Sequence, residues 1–266
     1  MEYFWYVVAG LGAGVTTGLV GLSAAVVMVP ILIVLCPTFA AAENGAFQAV
    51  AIALASDVLA SIVSSLIYLR HKNVNFKRSW VMIICVLATC VAGTILAFIS
   101  PNHIMGAFSL VLCIIIGARF LIQPDPKGKE LLSKDEKLDK KEVILSIVFG
   151  SVIGIIVGYI GTGGGLSMLL VFTIFLGMDR KTAVGTSTFI MALAALIAFA
   201  AHAVTEPEIL FGRWDVLAVC APVAALGAIV SSLFANKVNN KVVSIVTGSI
   251  LVVLGIVLLI LNFVIK

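Results

Sequence analysis

The sequence predicts an all-α polytopic membrane protein made of two inverted structural repeats, each a broken or re-entrant glycine-rich helix pair followed by three transmembrane helices. Three observations lead there. Hydrophobic residues make up 62% of the chain and charged residues 11%, with a mean hydropathy of +1.21, which leaves too little polar surface to cover a soluble globule. Apolar runs cover residues 4–36, 46–69, 80–99, 104–122, 143–176, 183–204, 215–235 and 242–265. A run of about 20 residues spans the hydrocarbon core as a helix, whereas β-barrel strands would be shorter and would alternate polar with apolar residues. Finally, Gly10, Gly14, Gly18 and Gly21 recur at a constant offset as Gly150, Gly154, Gly158 and Gly161, and Trp80 and Gly93 recur as Trp214 and Gly227. Such self-similarity marks a duplicated unit.

The repeats are residues 1–123 and 143–266. Between them lies a linker, 124–142, with six Lys and six Asp or Glu, read as a solvated tether. Corresponding loops differ in charge: Arg70, Lys72, Lys77 and Arg78 face Glu206, Glu208, Arg213 and Asp215 across the repeat. By the positive-inside rule the two sets lie on opposite sides, which requires an odd number of crossings per half. The opening run of each half then enters and leaves on one side. The expected setting is the plasma (inner) membrane, with linker 124–142 cytoplasmic and both termini outside. Met1 to Tyr6 lack the basic flank of a signal peptide, so the start is read as mature. A net charge of +4 spread over loops points to topology signals and not to nucleic acid. The five cysteines sit in or beside apolar runs with no zinc spacing, so no metal or cofactor is expected.

Within each opening run a glycine-marked elbow separates two helical pieces. In the first half Val20-Gly21-Leu22-Ser23 precedes Ala24 to Leu35; in the second, Ile160 to Gly165 precedes Leu166 to Leu176. The later pieces are only about 17–18 Å long at 1.5 Å per residue, short of a core of about 30 Å. Each interior glycine costs a helix about 1 kcal/mol relative to alanine, so Gly161-Thr162-Gly163-Gly164-Gly165 suits a sharp turn. The helix that follows aims free N–H groups and a partial positive charge at that turn. This is an anion site, to which Ser23, Thr162 and Ser167 add hydroxyls. Gly10, Gly14, Gly18 and their mates are read as seams for close helix packing.

The run Gly154-Ile155-Ile156-Val157-Gly158-Tyr159-Ile160-Gly161-Thr162-Gly163-Gly164-Gly165, followed by Thr182-Ala183-Val184-Gly185-Thr186-Ser187 and echoed at Gly14 to Pro30, resembles the TauE/SafE family of sulfite exporters and sulfonate permeases. The resemblance implies secondary transport of sulfur-containing oxyanions or organosulfonates. In one respect the chain departs from the family. Ser23-Ala24-Ala25 stands where the second half has Gly163-Gly164-Gly165, so the two elbows are unequal.

Among other polar residues at membrane depth, Asp57 stands out, because an ionisable group at mid-span costs about 2.5–3.5 kcal/mol on insertion scales. It shares a helix face with Ser61 and Ser64, its repeat mate is Met191, and it is a candidate proton-coupling site. Gln48, Thr186 and Ser187 lie near the starts of the helices after the elbows and are further substrate-site candidates. His202 ends its run and is expected near the outer face in solvent. Trp5, Trp80 and Trp214 are interface anchors. The expected function is secondary transport of a small sulfur-containing anion held near the midplane at Ser23, Ala24, Ala25, Gln48, Gly161 to Gly165, Ser167, Thr186 and Ser187. An anion channel and a non-transport membrane assembly protein are the alternatives. No His/Asp/Glu cluster or GxSxG nucleophile turn appears, so enzymatic activity is not expected. The partners are the anion and lipid, with a homo-oligomer left open.

Overall fold

A computed structural model describes residues 2–42, 44–100, 111, 114–115, 117–119, 121–122, 139–161, 164–205, 212–235 and 237–264. The helices are α1 (Glu2–Val20), α2 (Ala25–Leu35), α3 (Pro37–Ala40), α4 (Gly45–Arg70), α5 (Phe76–Ile99), α6 (Lys140–Ile160), α7 (Gly164–Leu170), α8 (Arg180–Thr205), α9 (Trp214–Ala235) and α10 (Asn240–Val264). A π-helical turn, Val171–Phe175, continues α7. The described residues between 111 and 122 are helical as well. Most of linker 124–142, and the loop acids Glu206 and Glu208, lie outside the described residues.

Among the described residues six helices, α1, α4, α5, α6, α8 and α9, are long and apolar enough to cross a membrane. Their outward faces carry exposed Ile84, Ile95, Val148, Leu226 and Val230, an apolar surface that belongs against lipid. The chain is an all-helical, multi-pass membrane protein.

α4 and α8 are the most buried of the six and cross antiparallel. Phe47 near the start of α4 stacks on His202 near the end of α8, with ring centroids 4.2 Å apart, while Tyr68 near the end of α4 lies beside Gly185 near the start of α8. Around this pair each half lends its opening helix to the other. α1 runs parallel to α9, with Gly10, Gly14 and Gly18 set in turn against Cys220, Ala224 and Ala228. In the same way α6 runs parallel to α5, with Gly150, Gly154 and Gly158 against Cys85, Val86 and Cys90. Most of these glycines face backbone so closely that no Cβ fits, so the four-residue spacing acts as a packing seam.

The first half doubles back on itself. Glu2 at the start of α1 accepts a hydrogen bond from the Thr38 amide at 3.3 Å, so the chain that descends α1 returns along α2 and α3 to where it began. In the second half Phe175 stacks on Phe149 of α6 at 5.3 Å.

Several helix boundaries differ from the sequence reading, two of them beside the linker and the second elbow. α6 starts at Lys140 instead of 143, because Asp139 and Glu142 form a reciprocal capping box, so the last linker residues are helical. The short helix of the second half begins at Gly164 instead of Leu166. Arg78, read as a loop charge, is 2% exposed. It pairs with Glu142 at 2.9 Å, joining α5 of one half to the first turn of α6 in the other.

Candidate functional site

Both elbows open in the same way. α1 ends at Gly21 with φ +69° and α6 at Gly161 with φ +71°, a left-handed conformation that glycine adopts without steric cost. The Gly21 amide donates to the Thr17 carbonyl at 2.9 Å and the Gly161 amide to the Val157 carbonyl at 2.7 Å. Carbonyls that lose their helical donor at such breaks need another, since lipid offers none. Tyr68 donates from its hydroxyl to the Gly18 carbonyl at 3.2 Å, and His202 Nε2 lies 3.1 Å from the Gly158 carbonyl. These four residues are two pairs of repeat mates. His202 is therefore not a solvated terminal residue: it is fully buried and caps the broken end of α6.

The two elbows touch. Gly165 lies directly on the Gly21 carbonyl, with no room for a side chain. A Cβ at Gly161 would meet the Ala25 methyl at 3.1 Å and Leu54 at 3.2 Å, and one at Gly21 would meet Thr188 Oγ1 at 2.7 Å and Ser187 Oγ at 3.2 Å. In the repeat numbering Gly165 corresponds to Ala25 and Thr188 to Leu54, so the same contact is made twice. Each elbow is walled by the central helix of the opposite half.

Their polar chemistry differs. At the first elbow Ser23, Ala24 and Ala25 are fully buried, and their groups are spoken for within the chain. The Ser23 hydroxyl lies 2.7 Å from Asp57 Oδ2 and against the Gly161 carbonyl. The Ala25 amide donates to Ser23 Oγ at 3.3 Å and the Val26 amide to the Ser23 carbonyl at 3.2 Å, while the Ala24 amide faces the Asp57 carboxyl. Asp57 thus sits where an anion would cap α2, with Ser61 donating to its Oδ1 at 2.8 Å. At the second elbow the mate of Asp57, Met191, turns its thioether toward Gly164. Thr162 and Gly163 lie outside the described residues. Ser167 is half-buried on α7.

The remaining candidates fall elsewhere. Ser187 lies at the first elbow and donates to the Val184 carbonyl at 2.9 Å. Thr186 accepts from the Asn75 amide at 3.0 Å and so braces the turn into α5. Gln48 lies six residues before Leu54, about 9 Å along α4, and its buried Oε1 has no partner among the described residues. Among the described residues no three His, Cys, Asp or Glu side chains gather as a metal site would need.

Sequence reasoning missed the Tyr68 and His202 caps and the burial of Arg78. The caps carried a signal, because Tyr68 and His202 are related by the same offset as Trp80 and Trp214.

Comparison with known proteins bears on what this core does. The family model for the sulfite exporter TauE/SafE matches residues 6–258. The chain is also similar to the probable membrane transporter protein YunE of Bacillus subtilis (strain 168), 23% identical over 270 residues that cover 96% of each chain. No solved structure matches it.

Proposed function

The chain belongs to the TauE/SafE sulfite exporter family, and from that premise we propose that it is a secondary membrane transporter of small sulfur-containing anions such as sulfite, thiosulfate or an organosulfonate. The observation that carries this reading is the meeting of two helix breaks in the core, with Gly165 on Gly21 and Gly161 on Ala25. Non-helical backbone at membrane depth persists only when buried in protein or lining a wet cavity, and discontinuous helices at a repeat interface are where secondary transporters hold substrate.

We assign the anion to the second elbow, Gly161 to Gly165 with Ser167. There the carboxyl group that occupies the first elbow is replaced by Met191, and glycines let an oxyanion approach the backbone amides. Ser23, Ala24 and Ala25 belong to the other wall, where the Asp57 carboxyl already fills the place an anion would take and is the candidate proton carrier. The antiparallel crossing of α4 and α8, the parallel pairs α1–α9 and α6–α5, and the paired caps on Gly18 and Gly158 support reading residues 1–123 and 143–266 as inverted repeats that rock against each other. That reading puts the linker in the cytoplasm and both termini outside a plasma membrane. It makes the protein a carrier and not an enzyme.

Flux of sulfite, thiosulfate, organosulfonates, sulfate and small carboxylates into vesicles carrying the purified protein tests this. Saturable exchange of one or more sulfur anions is expected. Unsaturable flux would make the protein a channel, and no flux of any of them would leave the elbows without a ligand.

A further inference from the structure

The Ser23 hydroxyl has one proton and stands between two acceptors, Asp57 Oδ2 at 2.7 Å and the Gly161 carbonyl, closer still. Both contacts require a hydrogen atom, and a serine supplies one. The other is one that a protonated Asp57 supplies. The arrangement is complete when the carboxyl donates a proton from Oδ2 to Ser23 Oγ and Ser23 donates its own to Gly161. Ser61 serves Asp57 Oδ1 at 2.8 Å, and the Ala25 amide fills the second lone pair of Ser23 Oγ at 3.3 Å. An ionised Asp57 only accepts. It would draw the Ser23 proton to itself and leave the Gly161 carbonyl, at the left-handed hinge of the second elbow, without the one donor it has among the described residues.

Among the described residues the groups that face this carboxyl are Ser23, Ser61 and the Ala24 amide. Titratable side chains on the surrounding helices are engaged elsewhere. Glu2 and Tyr6 of α1 lie against Thr38, and Cys220 of α9 donates to the Tyr6 carbonyl. On the central pair Tyr68 caps Gly18 and His202 caps Gly158. Cys36 follows α2, while Arg180, Lys181 and Asp215 stand at the starts of α8 and α9. The repeat offers no mirror image of the chain, since the mates of Ser23 and Asp57 are Gly163 and Met191.

We propose that Asp57 carries the coupling proton of the transport cycle and that Ser23 transmits its presence to the anion-holding elbow, gripping the Gly161 carbonyl only while Asp57 is protonated. The inference rests on the transport reading above. When Asp57 releases its proton to water, the carboxylate takes the Ser23 hydrogen bond and the second elbow is freed to move. Because the chain exists on one side only, each cycle carries one such proton. Ser23 is a positioning residue in this scheme.

Two measurements test it together. Infrared spectroscopy of the full chain in bilayers, titrated across pH, is expected to show the C=O stretch of a protonated carboxylic acid that Asp57→Asn removes. Ser23→Ala shifts this band to higher frequency, because its hydrogen-bond acceptor is gone, and Ser23→Thr restores it. Vesicle flux of sulfite and thiosulfate, normalised to each variant's own maximum, is expected to lose its pH profile in Ser23→Ala and Asp57→Asn and to regain it in Ser23→Thr. A band that Ser23→Ala leaves unmoved, or a pH profile that it leaves intact, overturns the proposal. If the unmodified protein moves neither anion, the transport reading and the coupling role fall together, and the infrared shift still decides whether the tie between the elbows exists.

Discussion

Removing one partner of the Arg78–Glu142 pair separates a buried bridge from an ordinary loop charge. The guanidinium NH2 group reaches both Glu142 carboxylate oxygens at 2.9 Å, and Arg78 is 2% exposed. Its Nε and NH1 groups are buried without partners among the described residues, so Glu142 carries nearly all the compensation for this charge. Truncating one member of such a pair costs about 3–5 kcal/mol, because the other charge stays buried and uncompensated. A solvated pair would cost about 0–1 kcal/mol. Arg78→Met and Glu142→Gln should each therefore destabilise the protein by roughly 3–5 kcal/mol, while Arg78→Met with Glu142→Leu should recover much of that loss by removing both charges. The assay is equilibrium unfolding in mixed micelles with increasing denaturing detergent, read as a double-mutant cycle. Single substitutions costing under about 1 kcal/mol, or effects that simply add, would refute a buried bridge.

Further expectations follow from the elbows. Gly165→Ala drives a methyl into the Gly21 carbonyl and should cost at least about 1–3 kcal/mol, the usual range for overpacking; Gly227→Ala, whose nearest neighbours lie at 3.2–3.4 Å, should be far milder in the same unfolding assay. Tyr68→Phe and His202→Phe each strip a donor from a glycine carbonyl at a helix break and should lower stability by about 1–3 kcal/mol apiece, measured by thermal unfolding. Met191→Asp places a second carboxylate at the elbow assigned to the anion, and saturable flux should fall sharply, whereas Met191→Leu should keep it. An Asp variant that transports normally would move the anion away from Gly164.

The helices and the glycine seams could be read from composition and glycine spacing because both are local properties: a run of apolar residues either spans a bilayer or does not, and glycines spaced by four declare a seam. The partners of that seam could not be read. Nothing near Gly14 in sequence indicates that it packs on Ala224, since the exchange of opening helices between halves is a tertiary choice. The same holds for polar residues. Asp57 was conspicuous because a carboxyl at mid-span is costly, but its partnership with Ser23 spans 34 residues and that of Ser23 with Gly161 spans 138. Arg78 looked like a topology signal because it sits beside Lys77 in a basic loop. What buries it is Glu142, 64 residues away across the linker. His202 was misread because a histidine at the end of an apolar run is usually wet, and the carbonyl that needs it is exposed only by the break at Gly161.

The exchanged helices also set the order of events during synthesis. Gly14 leaves the ribosome 217 residues before Ser231, which donates to its carbonyl at 3.2 Å. At about 5–20 residues per second that is roughly 10–40 s in the bilayer without a partner. Thr16 and Thr17 on α1 spend the interval safely, because their hydroxyls bond to the carbonyls of Gly12 and Ala13 at 2.9 Å within the same helix. α6 waits far less, since its own seam on α5 is already inserted when it arrives. The nascent first half is therefore an unfinished intermediate that must be sheltered from other helices until the last third of the protein is made, and co-expressed halves should reconstitute a complex that neither forms alone.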